Sequence, residues 1–287
     1  MDARPKGQRN VFNRAISAGV RALLVAGLLA LPSFMLPNVS SDTSQLVALL
    51  ALVGGVLTFL EYFSTMPSFV EFRSAAPFNR IRFLTMFCMV YALTQITREF
   101  QMPTAMSGSF YYVGRSIGEA MDFPFSPVRL ALLAVPEGAP LPLFEVVKAT
   151  AGMAYVISLA SIAFFIVFIR IMRWPLRNGA FNVWINLPLF DPTTGGDVLY
   201  RLKRDSNLNF ALGFLLPFLI PAIFEATAQV LEPMPLSDPQ TLVWMMTAWA
   251  FLPASLIMRG VALMRVAELI EEKRRRAYAQ SDVLQAA

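Results

Sequence analysis

The chain has no histidine, and Cys88 is its only cysteine. The first absence excludes haem held by imidazole, His-based zinc sites and triads that use a His base. The second excludes a disulfide within the chain, so cysteine usage does not report the redox compartment. Cys88 sits in Phe87-Cys88-Met89-Val90 and reads as an inert, buried small hydrophobe. Charge is also scarce. Charged residues make up 15% of the chain, against about 25% in a typical soluble domain. No low-complexity tract stands out, and neither does the internal repeat that marks many transporters. Paired carboxylates at useful spacing, a metal-ligand cluster and an activated nucleophile are likewise missing, which argues against an enzyme.

Apolar residues take up 56% of the 287 positions, and the mean hydropathy is +0.56. A membrane-crossing helix needs about 20 mainly apolar residues. Six stretches approach that length: 20–36, 44–63, 82–97, 149–170, 208–230 and 241–262. The third is the shortest, and Arg82 and Arg98 at its ends can snorkel toward headgroups. The first follows basic residues as a signal peptide would. Its exit, Pro32 to Ser41, has no small-x-small cleavage pattern, so it reads as an uncleaved span.

The layout sorts the basic residues. Twenty of the 24 Lys and Arg fall on one side, and Arg98, Arg115, Arg129 and Lys148 are left on the other. Basic residues next to apolar spans are retained in the cytoplasm, so both termini are expected there. This also accounts for the net charge of +5 without invoking nucleic acid, because the charges are spread over several flanking segments. Tyr62, Phe63, Tyr111, Tyr112, Trp174, Trp184 and Trp244 lie near span ends, where amphipathic rings favour the interface.

The expected fold is an all-α polytopic membrane protein of six transmembrane helices. Residues 1–19 form a basic amphipathic lead-in, 20–262 the transmembrane domain, and 263–287 a charged cytoplasmic helix and tail. The long outer connection, 98–148, holds an apolar run from Pro127 to Pro136. That run is too short to span and reads as an interfacial or re-entrant helix. On the inner side, Asp191 to Asp197 forms a turn rich in Pro, Thr and Gly. It lacks the spacing and lysine of a phosphate-binding loop, and a helix is expected to start near Asp197. The last span continues into Glu271–Arg275 and Glu272–Arg276 pairs at i,i+4, and 279–287 reads as a frayed tail.

Candidate sites fall into two groups. Glu225, with Gln229 one turn on, and Glu61 are the polar candidates within spans, and ionisable residues there are the first place to seek function. Glu225 lies roughly 8 Å from the outer end of its span at 1.5 Å per residue, and Glu61 is within a turn of the inner end. The midplane positions, from Leu29 through Gly54, Gly55, Tyr91, Ser158, Ser161 and Leu219 to Leu252 and Pro253, carry no charge. Ala22/Ala26/Ala30, Ala51/Gly55 and Ala154/Ser158 have the small-xxx-small spacing that lets helices approach closely. Pro217, Pro221 and Pro253 each remove a helix hydrogen bond, and a static kink outweighs a moving gate as their reading. The second group is basic: Arg201, Lys203, Arg204 and Lys273, Arg274, Arg275, Arg276 are candidate contacts for anionic lipid or a protein partner.

The leading functional expectation is a non-catalytic subunit or scaffold of a larger assembly in a bacterial inner membrane, with lipids and other proteins as partners. No cofactor, metal or nucleic acid is expected. A transporter or channel component for an uncharged or lipid-like solute, with Glu225 in its pathway, is the alternative. A lipid-modifying enzyme is the weakest.

Overall fold

A computed structural model describes residues 6–66, 68–136, 138–172, 174–175, 181–190, 196–228 and 236–285. Every regular element among them is helical: α1 (Lys6–Met35), α2 (Ser41–Phe63), α3 (Phe78–Glu99), α4 (Ala105–Met121), α5 (Pro127–Leu132), α6 (Leu141–Ile171), α7 (Val183–Asn186), α8 (Val198–Ala228) and α9 (Pro239–Gln285). Five of these, namely α1 from Val11, α2, α6, α8 and α9, are long and apolar enough to cross a membrane. The chain is a helical, membrane-embedded protein. Its apolar surface is what such a setting requires: Leu46, Leu49, Leu50, Leu52, Val53, Val56, Leu57 and Leu60 are all exposed on α2 alone, a patch that water would not tolerate.

The first two helices form an antiparallel hairpin. The Ser40 hydroxyl accepts the Thr43 N–H at 3.1 Å and so starts α2. The small-residue spacings on the two helices meet each other. A Cβ on Gly55 would stand 3.4 Å from both the Ala22 carbonyl oxygen and Ala26 Cβ, so the seam closes within the chain. Arg14 lies over the Phe63 ring and Arg21 over Tyr62, locking the ends together. α1 runs unbroken from Lys6, so the described part of the expected lead-in is continuous with the first span.

Of the six stretches expected to span, α3 is the one whose helix is not apolar enough to stand with those five. It packs on α1, α4, α6 and α9. Ile81, Thr85, Met89, Ala92, Leu93 and Ile96 face inward, while Leu84, Phe87 and Cys88 form an exposed stripe at i, i+3 and i+4. Cys88 is therefore exposed, contrary to the expectation of burial. The reason is rotational: Cys88 follows Leu84 and Phe87 on the outer side of the helix, while the inner side buries a mixture of apolar residues with Thr85, Thr94, Gln95 and Thr97. Its buried hydroxyls are satisfied within the helix, Thr85 donating to the Ile81 carbonyl, Thr94 to Val90 and Thr97 to Leu93.

Between α3 and α6 the chain folds two helices over the far end of the bundle. The larger is α4, which the sequence reading did not separate from its connection. Thr104 and Ser107 form a reciprocal cap at its start, and the Ser107 hydroxyl also donates to the Glu99 carboxylate. α4 crosses α6 at a contact without side chains: a Cβ on Gly118 would fall 2.6 Å from the Lys148 carbonyl oxygen, and one on Gly152 would fall 2.5 Å from Gly118 Cα. The apolar run after Pro127 is helical only to Leu132, and Val128, Ala131 and Leu132 are buried.

α8 packs extensively against α9. Pro221 has no N–H to offer the carbonyl of Pro217 one turn earlier. The Trp249 indole N–H of α9 fills that vacancy, at 3.0 Å. One kink is thus tied to the neighbouring helix. α9 is 47 residues long, roughly 70 Å at 1.5 Å per residue. It is helical to Gln285, so the frayed tail expected from residue 279 is helix almost to its end.

Candidate functional site

The contacts bring the start of α1, the end of α2, residues 64–66, 68–77, 174–175 and 181–190, the start of α8 and the end of α9 to one end of the bundle. This is the end that carries most of the basic residues.

Its frame is made of two buried carboxylates. Glu61, in the last turn of α2, accepts the backbone N–H groups of Ser68, Phe69 and Val70 through Oε1, at 2.8, 3.2 and 3.0 Å. Arg73 returns across the same turn, donating to the Glu61, Ser64 and Thr65 carbonyls. Glu61 therefore holds a loop, and its oxygen is filled by backbone donors. Glu71 is 9% exposed and forms a two-pronged ion pair with Arg259 of α9, at 2.6 and 2.7 Å. These are the buried carboxylates among the described residues.

The loops are pinned to each other as well. Phe72 takes a positive φ of 53° while almost fully buried, and its N–H donates to the Asn186 carbonyl. The Asn186 side-chain oxygen accepts from the Ser74 N–H and hydroxyl at 3.1 and 2.9 Å. The Trp174 indole donates to the Ala75 carbonyl at 3.0 Å, and its ring joins Phe72, Phe78 and Phe165 in an aromatic core.

The two basic groups proposed from sequence converge on this platform. Lys203 of α8 pairs with Glu271 of α9 at 2.9 Å. Asp197 caps the Leu199 N–H and binds Arg274 at 2.8 Å. Hydrogen bonds from Arg274 and Leu199 hold the Asp197 carboxyl below its usual range. Arg201 lies over the Phe190 ring, 4.6 Å from its centroid, and Arg204 pairs with Asp205. The expected helix pairs Glu271–Arg275 and Glu272–Arg276 are present at 3.6 and 3.8 Å. Their arginines remain 76% and 81% exposed, so the pairs add little stability. They keep the charge at the surface.

Beside this cluster a shallow cavity of about 190 Å³ is floored by Phe181, Val183, Val266, Leu269 and Ile270 and rimmed by Glu272, Lys273 and Arg276. Residues 272–280 of α9 are exposed all round. The platform thus offers an apolar floor, a mostly basic rim and a bare helix. No group of three His, Cys, Asp or Glu side chains able to hold a metal occurs among the described residues.

Of the in-span candidates, Glu61 belongs to this face. Glu225 belongs to the helical backbone of α8, and its side chain lies outside the described residues, as does Gln229. The turn from Asp191 to Gly195 also lies outside them. Sequence reading missed Glu71, Arg259 and Asn186. Glu71 carries one usable signal, a lone carboxylate between Val70 and Phe72, whereas Arg259 is 188 positions away. No family model, curated protein or solved structure matches the chain.

Proposed function

We propose that the chain is a six-span inner-membrane protein that acts as a non-catalytic subunit or scaffold, presenting a cytoplasmic docking face to a larger assembly. The observation that carries this reading is the continuation of α9. It leaves the bundle past the Asp197–Arg274 and Lys203–Glu271 clamps and then runs as an exposed, basic helix beside an apolar cavity. A helix of this kind is suited to contact with protein.

The sixth span is α3. At 22 residues it is roughly 33 Å long, enough for the hydrocarbon core. Its modest hydropathy is supported by its surroundings: neighbouring helices cover Thr85, Thr94, Gln95 and Thr97, and its exposed stripe is Leu84, Phe87 and Cys88. The basic end is the cytoplasmic one by the retention of Lys and Arg. An interior whose buried hydroxyls on α3 and α6 bond back to their own helices supports a bundle built for packing.

Purification in mild detergent should yield a partner in fixed stoichiometry, and removal of residues 275–287 should release it while the membrane bundle keeps its thermal transition. A monodisperse lone protein, with or without that segment, would count against the reading.

The transporter alternative rests on a different observation. The Gln95 side-chain oxygen of α3 and the Thr247 hydroxyl of α9 are buried with no hydrogen-bond partner among the described residues. They are free to receive an uncharged polar solute. On that reading Glu225→Gln abolishes flux at unchanged protein abundance. A silent substitution removes Glu225 from the pathway.

A further inference from the structure

A slot between α6 and α8 stands apart from the docking face. Both helices pack along α9, yet among the described residues they do not pack against each other. At the far end α5 touches both and bridges them. No described element does so at the basic end, where a cavity of about 480 Å³ opens. Its walls are Ile166 and Ile169 of α6, Phe210 of α8 and Val261 and Met264 of α9.

The chemistry changes along the slot. Toward the last turn of α6 and the level where α9 leaves the bundle, the lining becomes Arg170, Arg265 and Glu268. Arg265 donates to Glu268 at 2.8 Å through Nη1 and toward the Trp174 carbonyl at 3.4 Å through Nε, leaving its Nη2 edge without an assigned partner. Arg170 forms no ion pair among the described residues, so the rim is net positive. An apolar channel ending in two guanidinium groups at headgroup depth has the charge order of a phospholipid: acyl chain, then phosphate. A void of this size within a bilayer forfeits packing contacts that a lipid chain would supply.

We propose that this slot binds one anionic glycerophospholipid of the cytoplasmic leaflet, its phosphate between Arg170 and Arg265 and an acyl chain along Ile166, Phe210 and Met264. This site uses none of the exposed basic residues at the tip of α9 and holds whether or not that helix docks a partner.

The test uses the full chain in detergent micelles, titrated with phosphatidylglycerol or phosphatidylcholine, with retained lipid counted by native mass spectrometry. One phosphatidylglycerol should be retained in preference to phosphatidylcholine. The double substitution Arg170→Gln/Arg265→Gln should lower that retention about tenfold. Lys273→Gln/Arg276→Gln, which removes the same charge elsewhere, should leave it unchanged. Ile166→Trp, which fills the channel without altering charge, should also displace the lipid. A thermal transition recorded for every variant separates lost binding from lost folding. The proposal is overturned if both double substitutions reduce retention equally, or if the lipid stays bound to a folded Ile166→Trp protein.

Discussion

Arg259 and Glu71, 188 residues apart in sequence, meet through two parallel hydrogen bonds of 2.6 and 2.7 Å that join α9 to the loop after α2. That geometry makes the loop a fixed part of the bundle rather than a free connection. Glu71→Gln leaves a half-buried guanidinium without its counter-charge. Breaking such a pair is expected to cost about 2–3 kcal/mol, less than a fully buried pair because Arg259 is 31% exposed. Replacing both partners, as Glu71→Leu with Arg259→Leu, should restore part of that loss. Thermal unfolding in detergent checks the order: Gln below the double variant, the double variant at or below the parent.

Glu61 separates a structural carboxylate from a transport one. Its oxygen accepts three backbone N–H groups, and a glutamine keeps a carbonyl oxygen able to accept them. Glu61→Gln should therefore be mild, while Glu61→Ala orphans the donors at about 1–3 kcal/mol. Limited proteolysis of residues 64–77 should accelerate for the alanine variant and barely change for glutamine. If glutamine proved as damaging as alanine, charge rather than acceptance would be the operative property.

At the opposite end, Asp122 joins Arg129 at 2.7 Å and Lys148 at 3.1 Å, tying the end of α4 to α5 and α6. Hydrogen bonding from Arg129, then from Lys148, holds the Asp122 carboxyl below the usual carboxylate range. A depressed folded value means that the unfolded chain binds the proton more readily. The stabilisation is thus full above the ordinary aspartate value of about 4 and is lost as pH falls through the lower folded value. Stability of the parent should fall more steeply below pH about 4 than that of Asp122→Asn. Melting curves across that acid range give the comparison.

Cys88 reports on α3 directly. It is exposed on the stripe with Leu84 and Phe87, and as the chain's sole cysteine it needs no background removed. In a sixth span it faces lipid, so a membrane-permeant maleimide should label it in intact membranes and a charged, impermeant one should not. Rapid labelling by the charged reagent from either side would take α3 out of the membrane.

What the sequence disclosed tracks how local each interaction is. Long apolar runs announce themselves, and α2, expected over 44–63, is helical over Ser41–Phe63. The i,i+4 pairs at the end of α9 needed only helical spacing to be foreseen. Gly55 against Ala22 and Ala26 was visible as a pattern, although only the fold shows that the pattern is satisfied inside the chain. The rotation of α3 was hidden, because apolar residues lie on both its inner side (Ile81, Met89, Leu93, Ile96) and its outer one (Leu84, Phe87). α4 was hidden by its glycines, which lower helix propensity; Gly114 and Gly118 are explained only by the close approach of Ile96, Ala149, Lys148 and Gly152. The frame of the basic end was the least legible part: Glu71–Arg259, Ser74–Asn186 and Ala75–Trp174 are each long-range and carry no spacing rule.

The hairpin seam has a consequence for how the molecule is put together. Among the described residues α2 packs against α1 alone, and no α2 residue belongs to either buried apolar cluster. α1 gives those clusters only Leu28 and the flanking Leu31. The first two helices can therefore enter the bilayer and zip together during synthesis, before any later segment exists. The remaining helices then close their own cores against one side of α1. The finished protein is a row with an open margin rather than a closed ring, and α2 is its outermost member.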